Sequence, residues 1–248
     1  SLWLDEAINV NNAAALDFKT LLFNYSLSDF HPPLYHLLLK SWITFTGTSE
    51  VAVRIPSVIL GVLATFATYL IGKKLFDVKT GLIAATLMAT SPLAIYYSQE
   101  ARMYMQAAAA ASFSVYFFIS ILKKDKLVFW IGFILSTIVM LYSDYLPYLL
   151  LPIYAIFLIV NRKTIPKPTM RAFVPSFIII FIFLLPWLYI LPQQLNVGLS
   201  AAAASPAWAQ VVGAPQAQSL IITFVKFTIG RISNSNNLLY GLLFLPAG

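Results

Sequence analysis

Between residues 55 and 192 the chain is written as six apolar segments, 55–72, 81–97, 105–122, 127–143, 145–160 and 172–192, with charge confined to the links between them. Each has the length or composition of a membrane span, allowing for short ends that tilt or snorkel. Alternate links are basic: Lys73, Lys74 and Lys79, then Lys123, Lys124 and Lys126, then Arg162, Lys163, Lys167 and Arg171. The links between those hold Glu100, Arg102 and Asp144. Such alternation is the positive-inside pattern, and it places the basic links in the cytoplasm.

A soluble domain averages roughly 25% charged residues, whereas this chain is 10% charged and 60% hydrophobic. The expected fold class is therefore all-α, a polytopic transmembrane helical protein. The net charge of +7 is a topology signal, and no nucleic-acid partner is expected from it. The absence of cysteine removes disulfides, thiolate metal sites and cysteine nucleophiles. No ionisable residue lies near the middle of any of the six spans, which disfavours a transporter coupled through intramembrane charge. A plasma (inner) membrane location follows, multi-pass, with the acidic links facing the extracytoplasmic side.

Residues 1–50 form a first extracytoplasmic loop. Apolar Ile8, Leu16, Leu22 and Phe23 among asparagines and charges suit a helix lying on the interface. A second helix is expected to begin at Pro32-Pro33 and to stop near Gly47. Residues 33–46 are too few to span, since a crossing needs about 20, and Lys40 sits at their middle. They read as an interfacial or re-entrant helix. Residues 51–192 carry the six spans, 193–236 an extracytoplasmic loop and an interfacial helix, and 237–248 the start of a further span. With no initiator Met and an apolar run at the far end, the chain reads as truncated at both ends.

The reactive groups gather on the extracytoplasmic side. Asp5, Glu6 and His31 come from the first loop; Gln99, Glu100, Arg102 and Tyr104 come from the link after the second span; Asp144 faces the same side. A lipid-anchored phosphate ester would sit at that height. Sugar transfer from such a lipid needs one carboxylate to take the acceptor's proton, because a polyprenyl phosphate departs without one. A cation must hold the phosphate, and the planar, permanently charged fork of Arg102 suits its oxygens, with His31 as a second contact. Direct displacement would invert the anomeric centre. Gln99, Glu100, Tyr104 and Asp144 are the substrate-binding candidates.

Four blocks in order, Leu2-Trp3-Leu4-Asp5-Glu6-Ala7, His31-Pro32-Pro33-Leu34-Tyr35, Val53-Arg54-Ile55-Pro56-Ser57 and Tyr96-Tyr97-Ser98-Gln99-Glu100-Ala101-Arg102-Met103-Tyr104, resemble the bacterial and archaeal relatives of the protein O-mannosyltransferases. These are glycosyltransferases of family 39 type in the GT-C superfamily, which use polyprenyl-phosphate sugars such as dolichyl-phosphate mannose. The likeness runs over residues 2 to 160, with an echo at Leu185-Pro186-Trp187. It implies a GT-C-like fold with interfacial helices in the first loop, a catalytic acid at Asp5 with Glu6 beside it, and a phosphate contact near His31. It implies a polyprenyl-phosphate sugar donor, carrying mannose or another hexose or pentose. The acceptor it implies is an extracytoplasmic hydroxyl of a protein, glycan or lipid.

The chain departs from the family at three places. A span before the first loop and further spans after residue 248 are missing, Asp144 stands where relatives carry a histidine, and residues 201–218 are rich in alanine. Two other classes stay open. A lipid-linked oligosaccharide or phosphate-group transferase using a divalent metal would want Asp5, Glu6, Glu100 and Asp144 to converge. A non-enzymatic lipid flippase or transporter would not need Asp5 at all.

Overall fold

The computed structural model describes residues 2–29 and 31–204, and those residues form helices with no strand among them. The first loop is built from α1 (Leu4–Ala15), two short turns α2 (Phe18–Thr20) and α3 (Ser26–Ser28) joined by a π-helical turn at Leu21–Tyr25, and α4 (Leu34–Thr46). Leu16 closes α1 and Asp17 starts the next helical stretch, its side chain accepting the Thr20 N–H. Gly47 closes α4 with φ of +78°, a left-handed conformation that glycine adopts without the Cβ clash other residues meet. The expected helix over 33–46 is thus present. It lies against α1, where Val10 and Ala13 meet Tyr35, Leu39 and Ile43 in a buried cluster.

The apolar segments follow as α5 (Glu50–Leu75), α6 (Val78–Thr90), α7 (Pro92–Ser98), α8 (Tyr104–Lys123), α9 (Leu127–Leu141), α10 (Leu150–Val160) and α11 (Lys167–Ala204). Three of them, α5, α8 and α11, are long and apolar enough to cross a membrane, and α6 with α7 makes a fourth if that pair, bent by 62°, is one span. Pro92 causes the bend: it cannot donate to the helix before it, and Ser91 caps the one after. Of the six expected spans, the two remaining ones are shorter. Residues 127–141 form a helix of 15 residues, about 22 Å at 1.5 Å per residue, and 146–160 begin as a 3₁₀ turn before α10. Still, the fold is that of an all-α, polytopic membrane protein.

Packing is closest where side chains are smallest. A Cβ added to Gly81 of α6 would lie 2.7 Å from the Tyr69 carbonyl oxygen of α5, so these backbones touch only because glycine is there. Further along the chain the core is aromatic: Phe118, Trp130, Phe133, Tyr154, Phe173 and Trp187 fill the space between α8, α9, α10 and α11. Large apolar side chains remain exposed on the outer faces, including Val62 and Phe66 on α5 and Phe181, Ile182 and Phe183 on α11, as helices facing lipid require.

The loop expected from residue 193 is absent over its first part, because α11 continues through Pro192 to Ala204. A proline interrupts only its own hydrogen bond and bends the helix without ending it when both sides favour helix. Gln194, just beyond it, is buried and donates through Nε2 to the carbonyls of Ser26, of Asp29 at 2.8 Å and of His31 at 3.4 Å, tying α11 to the first loop. The expected interfacial helix and the start of a further span lie outside the described residues.

The charges separate to two ends of the helices. Lys123 donates through Nζ to the Lys74 carbonyl, and the charges of Lys123, Lys124 and Lys126 bear on Lys74, so two basic links meet. Asp125 joins them to the third link, accepting from Trp130 Nε1 at 2.6 Å and Thr169 Oγ1 at 3.0 Å. At the other end, α1 and the link between α7 and α8 meet the start of α5.

Candidate functional site

Adjacent residues on a helix point about 100° apart, and α1 uses this to send its two first-turn acids to different places. Glu6 turns inward and is fully buried, while Asp5 stays 65% exposed. Glu6 Oε2 accepts the Trp3 N–H at 3.0 Å and Arg54 Nη2 at 2.8 Å; its Oε1 accepts Arg54 Nε at 3.1 Å and the Ala101 N–H at 2.8 Å. Burial opposes its charge, but the Arg54 hydrogen bond and the two backbone N–H groups outweigh that and hold the carboxyl below its ordinary range. Arg54 is steadied in turn by Glu50, one helical turn earlier, at 2.7 Å.

Asp5 faces Arg102, whose Nη1 donates to Asp5 Oδ2. The guanidinium of Arg102 also lies over the Tyr104 ring, 5.3 Å from its centroid, and its buried Nε has no hydrogen-bond partner among the described residues. The contact between Asp5 and Arg102 forms because α1 brings Asp5 onto the guanidinium. Together these groups enclose a cavity of about 250 Å³ lined by Asp5, Glu6, Glu100 and Arg102, with Leu4 and the rings of Trp3, Tyr96, Tyr97 and Tyr104 completing its wall. The structure thus brings Asp5, Glu6, Glu100, Arg102 and Tyr104 to one place.

The other expected residues lie elsewhere. Gln99 ends α7, is exposed, and borders a separate groove between α5 and α7. Asp144 accepts the Leu146 N–H at 3.0 Å, an Asx-type turn, and lies on a different, mostly apolar cavity of about 530 Å³, which shares only Tyr97 and Tyr104 with the first. His31 does not line the Asp5 cavity. Its Nδ1 stands 3.7 Å from Asp29 Oδ2, and His36 Nε2 stands 3.5 Å from the same oxygen.

Sequence reasoning assigned no role to three residues that matter here. Arg54 carried a signal, a cation opening an apolar helix at the acid-bearing end with Glu50 four residues before it. His36 and Asn9 carried none, being single polar residues on helices whose partners are set by packing: His36 Nε2 meets Asn9 Oδ1 at 3.2 Å, and Tyr25 donates to that oxygen at 3.4 Å.

A family model described as dolichyl-phosphate-mannose-protein mannosyltransferase matches residues 30–190, well over half of the chain. The chain belongs to that family. The match takes in His31, Arg54, the Gln99 to Tyr104 link and Asp144, and starts after Asp5 and Glu6, whose place at the site rests on the geometry above. In comparisons with curated proteins and with solved structures, no match was found. Membership in this mannosyltransferase family agrees with the resemblance carried by the sequence blocks, and it fits a membrane protein that transfers a lipid-linked sugar.

Proposed function

We propose that this protein transfers a sugar from a polyprenyl-phosphate carrier to an extracytoplasmic hydroxyl group, with inversion, at the cavity between Asp5 and Arg102. One observation carries the reading: a solvent-accessible carboxylate and a guanidinium with a spare buried donor share one cavity, at the end of the helices opposite the basic links. Asp5 is the general base. It accepts the proton of the acceptor hydroxyl as that oxygen attacks the anomeric carbon, and the bond from that carbon to the phosphate oxygen breaks. Arg102 receives the phosphate, exchanging its contact with Asp5 for phosphate oxygens and so freeing the carboxylate. The aromatic walls offer apolar faces against which a pyranose ring can stack.

In this reading Arg102 alone supplies the phosphate contact, His31 lying beside Asp29 instead. The donor is a mannosyl or related glycosyl polyprenyl phosphate taken from the surrounding lipid, and the site faces away from the cytoplasm by the positive-inside pattern. The metal-dependent alternative is disfavoured because its four acids do not converge: Glu6 is engaged by Arg54, and Asp144 borders another cavity. The test is transfer of labelled sugar from a panel of polyprenyl-phosphate donors in membrane vesicles, comparing the protein with Asp5→Asn, with and without chelator. Transfer that collapses in the variant while membrane insertion persists is expected. Equal transfer by both proteins would return Asp5 to a helix-end acid, and loss with chelator would restore the metal-dependent reading.

A further inference from the structure

We propose that Glu6 and Arg54 form a fastener that sets the register of Asp5 against Arg102, so that Glu6 is a positioning residue and not a second base. The inference rests on the reading of Asp5 and Arg102 as the reacting pair. A carboxylate has about four acceptor sites on its two oxygens, and all four donors on Glu6 come from the protein: Trp3 and Ala101 through their backbones and Arg54 through Nε and Nη2, one edge of its guanidinium. Glu6 is buried and has no acceptor site left for a substrate proton.

The sequence neighbours of this carboxylate give the arrangement its consequence. Asp5 directly precedes Glu6, and Arg102 directly follows Ala101, whose N–H Glu6 holds. One side chain therefore pins the backbone beside each member of the reacting pair, across 95 residues of chain. Arg54, 48 residues from Glu6, extends the tie to α5, the longest of the packed helices next to the site, and Glu50 fixes the other edge of its guanidinium. Asp5 is mostly exposed and its ion pair with Arg102 is the contact that the phosphate displaces, so that pair cannot keep the two in register once the donor is bound. What holds them is the fastener behind.

Displacing a reacting group by about 1 Å can cost about 10²-fold in rate. Glu6→Gln keeps the side chain's size but presents N–H groups to donors, and Arg54→Lys keeps the charge but loses the fork. Both are expected to lower kcat/KM for the glycosyl donor about 10²-fold while the pH dependence of transfer keeps the parent's shape. The register is read without activity by placing Leu4→Cys and Glu100→Cys on the two sides of the cavity in this cysteine-free chain and measuring the rate of bridging by a short bis-maleimide. Adding Glu6→Gln or Arg54→Lys should slow bridging at least tenfold. Parental bridging in both variants overturns the proposal. So does loss of a limb of the pH profile in Glu6→Gln with bridging unchanged, which would make Glu6 a base. If no donor supports transfer by the parent protein, the transferase reading falls, and the bridging rates still decide whether the fastener exists.

Discussion

Helix α1 carries two polar junctions a turn apart, and they handle burial in opposite ways. At Asp5 and Glu6 the charges are kept, because Arg54 and Arg102 arrive from α5 and from the link before α8 to meet them. At Asn9 the neighbouring His36 stays neutral: burial pushes it down to about 4, against the pull of Asp29 and with the help of His31 and Arg102. Tyr25, half-buried in the same cluster, is pushed up to about 12 by burial and by Asp29. Only the first junction opens onto the cavity. A site that moves protons and holds phosphate needs charge, and charge survives burial where counter-charges and hydrogen bonds together outweigh desolvation; at His36 the Asp29 carboxylate, 3.5 Å away, does not outweigh it.

The strongest way to break this comparison is Asp5→Asn. If the charged junction is the reactive one, sugar transfer should fall about 10³-fold, and radiolabel transfer in vesicles with matched insertion measures it. Transfer unchanged by this substitution would make the two junctions equivalent. The neutral junction is probed by acid. Above about pH 6.5 His36 is uncharged in both folded and unfolded chain, so its full contribution is present. Between about 6.5 and 4 the unfolded chain gains a proton that the folded one refuses, and stability falls with pH by up to roughly 3 kcal/mol. Thermal unfolding across that window should show the loss, with a shallower slope in His36→Gln; identical slopes would mean that His36 is not held neutral.

A finer test separates charge from shape at Arg102. Lysine preserves the charge but not the fork, and Arg102→Lys is expected to raise the donor KM about tenfold, with kcat less affected. An unchanged KM would show that the guanidinium contributes no more than a positive charge. The smallest effect is expected at Gln194→Ala, which releases carbonyls at the end of the neutral junction. A loss of about 1–2 kcal/mol in stability with transfer nearly intact would confirm that this junction is framework, whereas a large loss of transfer would connect it to the reaction.

Much of this was legible in the chain. Apolar runs and alternating charge gave an all-helical membrane fold, and Pro32-Pro33 with Gly47 bracketed α4 within a residue or two. Asp5, Glu6, Glu100, Arg102 and Tyr104 were named together and do share a cavity. His31, Gln99 and Asp144 were named with them and do not. A shared membrane side, with the family resemblance added for His31 and Gln99, does not fix proximity, because a side is far wider than a site. The helix running through Pro192 was hidden because Ala201 to Ala204 and the prolines read as loop, while the tie made by Gln194 to Ser26 and Asp29 depends on residues 168 and 165 positions away.

By itself the sequence determined that this chain must live in a membrane, which links carry its charge, and which end of its helices can hold polar chemistry, since those follow from hydrophobic length and charge pattern. Only the tertiary structure decided which of two adjacent acids faces the cavity. That choice depends on a rotation of about 100° between neighbours on a helix, and on Arg54 and Ala101 arriving from distant parts of the chain to fill one carboxylate and leave the other open.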